Sequence, residues 1–234
     1  MKLIILLFAF FSVTFARNKV NLQWAICEAN PQDVLPKLGL KAATPPYKEN
    51  PITYYDEQPP FHAFSGVGFR TKTNKGKPLS AIKVHLQEDS PDIPDFAECG
   101  WARYGNNTPF YACEKRCLLK HALAGDIWCE EQVELAQKYQ DVDWSALDAY
   151  GPYPNGKWKL RIGGHKAKFD DVVAGDLHLM EIEMKVHAKK ADATTKAVTK
   201  YLLERGVALC EPQEGKFMRL IRSKGYVSTG GEEL

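Results

Sequence analysis

Past residue 11 the sequence has no apolar run long enough to cross a bilayer as a helix, which takes roughly 20 residues. It has almost no surplus of charge of either sign: 31 Lys and Arg against 29 Asp and Glu leave a net charge of +2. That balance argues against an obligate nucleic-acid coat, so any basic site must arise by local clustering. Internal repeats and low-complexity tracts are absent, which excludes a solenoid architecture. No Ser or Cys stands with an obvious partner His, so a nucleophile–base constellation is not in evidence.

What is present begins at the N-terminus. Lys2 precedes the unbroken apolar run Leu3 to Phe11, Ser12 interrupts it, and Thr14-Phe15-Ala16 ends on a small residue. At about nine residues the run is too short to span a membrane, so residues 1–16 read as a secretory signal peptide and the chain as secreted or periplasmic. A short anchor or a buried N-terminal helix are the alternatives. No Cys follows Ala16, so a lipid-modified terminus is not expected. Residues 17–234 can bury a sizeable core and are read as a single domain. The six Cys (Cys27, Cys99, Cys113, Cys117, Cys129, Cys210) are even in number, which in an exported chain favours disulfides, with 15 possible pairings. Cys113-x-x-x-Cys117, taken alone, also passes for half of a zinc site. Asn106-Asn107-Thr108 is a formal glycosylation sequon.

Patterning predicts strands at Val20 to Ile26, Ile52 to Tyr55, Val67 to Lys72 and Ala81 to Leu86, the last two joined by a turn at Asn74-Lys75-Gly76-Lys77. A short helix follows Asn30-Pro31, a good cap and first-turn pair, and stops near Gly39. Residues 88–153 hold four of the Cys and read as a disulfide-stapled insert or lid, with a helix at Glu130 to Tyr139. Strands return at Trp158 to Ile162, Ala167 to Val173 and Leu177 to Val186. A helix over Ala193 to Arg205, capped by Asp192 and closed by Gly206, precedes a last strand at Lys216 to Ile221. Many strands and few helices give an α+β antiparallel sheet or barrel.

Residues two apart on a strand share a face. Arg70 and Lys72 therefore lie opposite Val67, Phe69 and Thr71, and Lys83 and His85 lie opposite Ile82, Val84 and Leu86. Lys157, Lys159 and Arg161 oppose Trp158, Leu160 and Ile162, while Glu181, Glu183 and Lys185 oppose Ile182, Met184 and Val186. One such strand is an ordinary half-solvated strand. Three basic faces and one with paired acids describe a site for a metal–polyphosphate complex. Crowded cations repel unless a polyanion or acids neutralise them, and carboxylates about 7 Å apart on one strand can hold a hard divalent ion. His85 and His165 are read as surface or hydrogen-bonded residues rather than phosphate ligands.

At these residues the chain resembles the CYTH superfamily of triphosphate tunnel metalloenzymes. Thr53-Tyr54-Tyr55-Asp56 looks like the family's Tyr-Phe-Asp segment, and Gly66 to Lys72 looks like its Leu-Arg-x-Arg motif. Ile82-Lys83 matches the next hairpin strand, and Asp170 or Asp171 the Asp that precedes the paired acids. Glu181 to Lys185 is similar to the late acidic strand, and Lys216 to the lysine that closes the tunnel. The resemblance implies an eight-stranded antiparallel β-barrel with flanking helices, its charged faces lining a tunnel. It implies Mg²⁺- or Mn²⁺-dependent binding and hydrolysis of a triphosphate or polyphosphate. Glu181, Glu183 and Lys185 would be catalytic, and Glu181, Glu183 with Asp170 or Asp171 would hold the metal. Arg70, Lys72, Lys83, Lys159, Arg161 and Lys216 would grip phosphate. The first strand departs from the pattern: the family's Glu-x-Glu-x-Lys is here Asn21-Leu22-Gln23-Trp24-Ala25, in which neutral amides replace the acids and the Lys is gone. A polyanion-binding module or a scaffold on the same fold is the alternative function.

Overall fold

The computed structural model describes residues 19–74, 76–90, 92–119 and 127–227. The signal-peptide reading of residues 1–16 lies outside the described residues. Chain order gives β1 (Lys19–Ile26), α1 (Pro31–Lys37), β2 (Lys48–Glu49), β3 (Ile52–Asp56), β4 (Val67–Asn74) and β5 (Lys77–Leu86). Next come β6 (Glu98–Tyr104), β7 (Phe110–Leu118), α2 (Glu130–Gln137), β8 (Asp148–Tyr153) and β9 (Asn155–Ile162). The chain ends with β10 (His165–Ala174), β11 (Leu177–His187), α3 (Ala191–Glu204) and α4 (Lys216–Ser223).

The strands form one eleven-stranded sheet in the order β2-β9-β10-β11-β1-β6-β7-β5-β4-β3-β8. Two expectations need correction. The sheet is mixed, because β1 pairs parallel with β6, and its ladder does not close into an eight-stranded antiparallel barrel. The Cys-rich stretch also supplies two central strands: β6 and β7 sit between β1 and β5.

Chain connectivity nevertheless bends the sheet. β8 and β9 stand nine places apart in the strand order, roughly 40 Å in a flat sheet. Only Pro154 separates them in the chain. Val173 N–H donates to the Pro154 carbonyl at 3.0 Å and Asn50 N–H to that of Asn155 at 2.9 Å. The sheet must therefore curl until β8 approaches β9, giving it a concave inner face.

The outer face carries the apolar alternates. Val20, Leu22, Trp24 and Ile26 of β1 pack with Trp158, Phe169 and Ile182 of the neighbouring strands and with Val34 of α1 and Val198 and Leu202 of α3. Leu135 and Ala136 of α2 cover Val67, Phe69, Ile82 and Val84. Asn30 caps α1, accepting from Asp33 N–H at 3.0 Å, with Pro31 in the first turn. Asp192 lies inside the first turn of α3 instead of capping it, and pairs with Arg103 at 2.7 Å.

The predicted last strand is a helix. Alternation would group Phe217, Arg219 and Ile221, whereas Phe217, Leu220 and Ile221 are the buried set, the i, i+3, i+4 spacing of a helical face. They pack with Tyr54, Tyr150, Val172 and Leu179, so α4 plugs one end of the concave side.

All six Cys are paired, as Cys27–Cys210, Cys99–Cys113 and Cys117–Cys129, which removes the zinc alternative at Cys113 and Cys117. The chain-entropy model weights these bridges by the loop each closes, and their sequence separations are 183, 14 and 12 residues. Replacing both Cys27 and Cys210 by Ser is expected to cost about 5 kcal/mol, against about 3 kcal/mol for Cys99 and Cys113. Urea unfolding under oxidising conditions, with the two losses ranked, checks this.

Candidate functional site

Register fixes which side chains share the concave face. On β1 these are Asn21, Gln23 and Ala25, directly opposite Lys185, Glu183 and Glu181 of β11. Glu181 faces Asp170 of β10, which faces Lys157 of β9, and Glu183 faces Lys168. Across the sheet, Arg70 faces Ala81, which faces Arg116 of β7, and Lys83 faces Glu114. Tyr54 of β3 pairs with Arg70.

Two ion-pair clusters organise this face. In the first, the Lys216 ammonium lies 2.7 Å from Glu181 Oε1 and 3.3 Å from Asp170 Oδ2, and Lys157 lies 3.5 Å from the same Asp170 oxygen. All three members of the core trio are deeply buried, with side-chain exposures of 13% for Lys216, 8% for Asp170 and 4% for Glu181. Burial works against both charges. Even so, Asp170 and Glu181 hold the Lys216 ammonium well above its ordinary range, and Lys216 with Lys157 holds Asp170 below the usual carboxylate range. Gln23 Nε2 donates to Glu181 Oε1 and to the Tyr104 hydroxyl, both at 3.1 Å.

In the second cluster, Glu114 accepts from both Arg70 and Arg116, which flank it across the small Ala81. Burial opposes its ionisation, but Arg70 and Lys72 outweigh that and hold its carboxyl far below the usual range. Lys72 is pulled down to about 7, first by Arg70 and then by burial. Lys83 is pulled down to about 8 by burial and then by Arg70, and its ammonium lies 5.6 Å over the Phe110 ring. Burial, Lys83 and Arg70 keep the His85 ring neutral well below its ordinary pKa.

Several expected residues stand apart from these clusters. Asp171 points to the opposite face and pairs with His178 at 2.7 Å, so only Asp170 of the two reaches the inner face. Lys159, Arg161 and Lys185 share the inner-face register but are exposed toward the open end. Lys159 lies 4.5 Å over the Tyr47 ring and Arg161 donates to the Gly164 carbonyl at 3.1 Å. Asp56 is a loop anchor: its carboxylate accepts from the backbone N–H groups of Glu57, Phe61, His62 and Ala63. Sequence reasoning missed Glu114 and Arg116, whose alternation in Glu114-x-Arg116 was legible but lay in the stretch read as an insert. It also missed Lys168, two residues before Asp170 on β10.

The donor set can be tested for a divalent ion. Because the Gln23 amide donates to a carboxylate, its NH₂ orientation is fixed and its oxygen points elsewhere. That Oε1 and Asn21 Oδ1 are both buried without a hydrogen-bond partner. They lie on one face of β1 opposite Glu183 and Lys185. Two amide oxygens and the Glu183 carboxylate are hard oxygen donors. They fit Mg²⁺ or Mn²⁺, which binds through one or two carboxylates and takes its remaining ligands from water and phosphate. Among the described residues, the group of His, Cys, Asp and Glu with metal-ligand spacing is Cys117, Cys129 and Glu131, and the disulfide accounts for its sulfurs.

Replacing Glu114 with Gln is expected to lower stability by about 2 kcal/mol at pH 7, a loss discounted for the partial exposure of Arg70. A depressed carboxyl pKa adds stability above its unfolded value that is lost as pH falls. The gap between wild type and the variant should therefore shrink once pH drops below 4.5, and denaturation midpoints from pH 7 to pH 3 measure it.

No known family's sequence profile matches this chain, and no curated protein matches it in sequence. Solved structures do resemble it. A protein from Hippeastrum assigned as an adenylyl cyclase, in which triphosphatase activity dominates, superposes with TM-score 0.52 at 12% identity over 91% of this chain and 98% of its own. A protein from Bacillus halodurans assigned as an adenylate cyclase superposes with TM-score 0.54 at 9% identity over 87% and 97%. At such identities the likeness concerns architecture alone. The curled sheet with its charged concave face is thus an architecture that the chain shares with these two proteins.

Proposed function

We propose that this chain is an exported protein that binds a triphosphate or polyphosphate on its concave face with Mg²⁺ or Mn²⁺, and that it hydrolyses the bound anion. The observation that carries the binding is the cation excess around Arg70. Among the described residues no carboxylate lies within ion-pair distance of Lys72 or Lys83, and crowding and burial depress both. A phosphate chain is the partner that such a cluster lacks. Arg70 offers a planar donor fork to phosphate oxygens, while Lys72 and Lys83 act as point charges. Glu183, Gln23 and Asn21 are the residues suited to hold the divalent ion, which supplies charge neutralisation and polarisation of a phosphoryl oxygen. Glu181 and Asp170 position Lys216 beneath the anion, and Lys159, Arg161 and Lys185 extend the basic surface toward the open end. The signal-like sequence at residues 1–16 and three disulfides support export to an oxidising compartment.

A second reading, binding without turnover, is favoured by the neutral first strand, where Asn21, Gln23 and Ala25 supply no negative charge for the ion. Phosphate release from tripolyphosphate with Mg²⁺ or Mn²⁺, measured against an E183Q variant, separates the two. Release above that control supports hydrolysis, and binding without release supports the second reading.

Arg70→Ala is expected to weaken tripolyphosphate binding by about tenfold or more, the scale of one lost charge-assisted contact, and calorimetry reads it. Binding also draws protons. Anion contact raises the pKa of Lys72 from about 7 and of Lys83 from about 8, so protons are taken up near those values. Affinity should fall as pH rises through 7 to 9. Calorimetry at pH 8 in two buffers of different ionisation enthalpy should give a positive proton count.

A further inference from the structure

The acid pair Asp170 and Glu181 already has a cation. The Lys216 ammonium sits between them at 3.3 and 2.7 Å, and nothing about its seat suggests a side chain free to leave. Lys216 opens α4, where Phe217 stacks on Tyr54 with ring centroids 4.8 Å apart and Leu220 and Ile221 are buried. The segment before it is strapped to β1. Cys210 is bonded to Cys27, Cys210 N–H donates to the Ala25 carbonyl, and the Gln213 amide both donates to the Ala25 carbonyl and accepts from Ala25 N–H. Gly215, immediately before Lys216, lies against the Tyr104 hydroxyl, where an added Cβ would come within 3.1 Å. Opposite Glu181 on β1 stands Ala25, which offers no charge of its own to that carboxylate.

One level along the same strands the arrangement differs. Glu183 pairs with the exposed Lys168 at 3.2 Å, and of the two partnerless amide oxygens that of Gln23 stands on the residue opposite Glu183 and that of Asn21 on the residue opposite Lys185. On β1, β10 and β11 the inner face thus has two acid-bearing levels, one filled by a side-chain ammonium and one with open oxygen donors.

We propose that Lys216 is the permanent cation of the Asp170–Glu181 pair, which is thereby closed to divalent ions, so that any metal accompanying a bound phosphate chain is held at the Glu183, Gln23 and Asn21 level alone. This rests on the phosphate-binding reading for its purpose but not for its test. An ammonium in that position, with Lys157 beside Asp170, offsets the two acids at every metal concentration, whereas a divalent ion there would have to be captured afresh.

The test uses the full-length disulfide-bonded protein and Mn²⁺ alone, read as the shift in thermal midpoint against Mn²⁺ concentration, with bound Mn²⁺ counted by electron paramagnetic resonance. In the wild-type background D170N should leave the Mn²⁺ response unchanged. K216M should gain a response whose half-maximal Mn²⁺ concentration is lower than wild type by about tenfold or more, the scale of one removed like charge. The double variant D170N/K216M should lose that gain. A wild-type Mn²⁺ response that D170N weakens overturns the proposal, as does a folded K216M that binds no more Mn²⁺ than wild type. If K216M does not fold, the comparison of wild type with D170N decides alone. Tripolyphosphate with Mg²⁺ in a separate arm, read against Mg²⁺ alone, reports on the anion site: no added midpoint shift there in the wild type overturns the functional reading and leaves the Mn²⁺ result standing.

Discussion

Pro154 is the only residue between two strands that stand near opposite ends of the sheet order, and the rest of the architecture follows from that short link. Eleven hydrogen-bonded strands cannot remain open and flat while their ends are tied one residue apart. The sheet curls, and one of its faces becomes an interior. Side chains that would be ordinary solvated charges on a flat sheet are drawn together there. Arg70 on β4 and Asp170 on β10 both come to influence the Tyr54 hydroxyl, which burial pushes up to about 12.

An interior lined with charge survives only if its charges are balanced at close range. Glu114 serves two arginines, and Lys216 serves two acids. These opposed arrangements, an acid between cations and a cation between acids, lie on different strands of the same face. What they leave over is positive. Lys72 and Lys83 bear that surplus and are depressed by it, and the proposed anion binding rests on that surplus. The apolar side chains do the complementary work outside, where α1, α2 and α3 cover the alternate residues of the same strands.

The period-2 alternation made the two-faced strands legible in the sequence, because a strand's side chains must alternate whatever the tertiary context. It correctly grouped Arg70 with Lys72, and Glu181 with Glu183. It did not say which cation meets which acid, since those partners are set by register between strands far apart in sequence. Asp170 and Asp171 show the limit: adjacent residues on one strand have opposite faces, and only the pairing of β10 with β11 decides which is inward. The helix at Lys216 was misread because its window of six residues is short enough for either period to fit. Glu114 and Arg116 were overlooked because their stretch, dense in Cys, looked like an appendage, when it is the centre of the sheet.

The bridge between Cys27 and Cys210 has a consequence for when the interior can exist at all. It fastens the strap that seats Lys216, and so joins the redox state of two sulfurs to the neutralisation of two buried carboxylates. Without the bridge the strap keeps only its hydrogen bonds to β1 and the packing of α4, and any loosening there would leave Asp170 and Glu181 inside without the Lys216 counter-charge. Closing the bridge therefore fixes the place of a buried counter-charge as well as the path of the chain, and the phosphate binding proposed above is expected to depend on it.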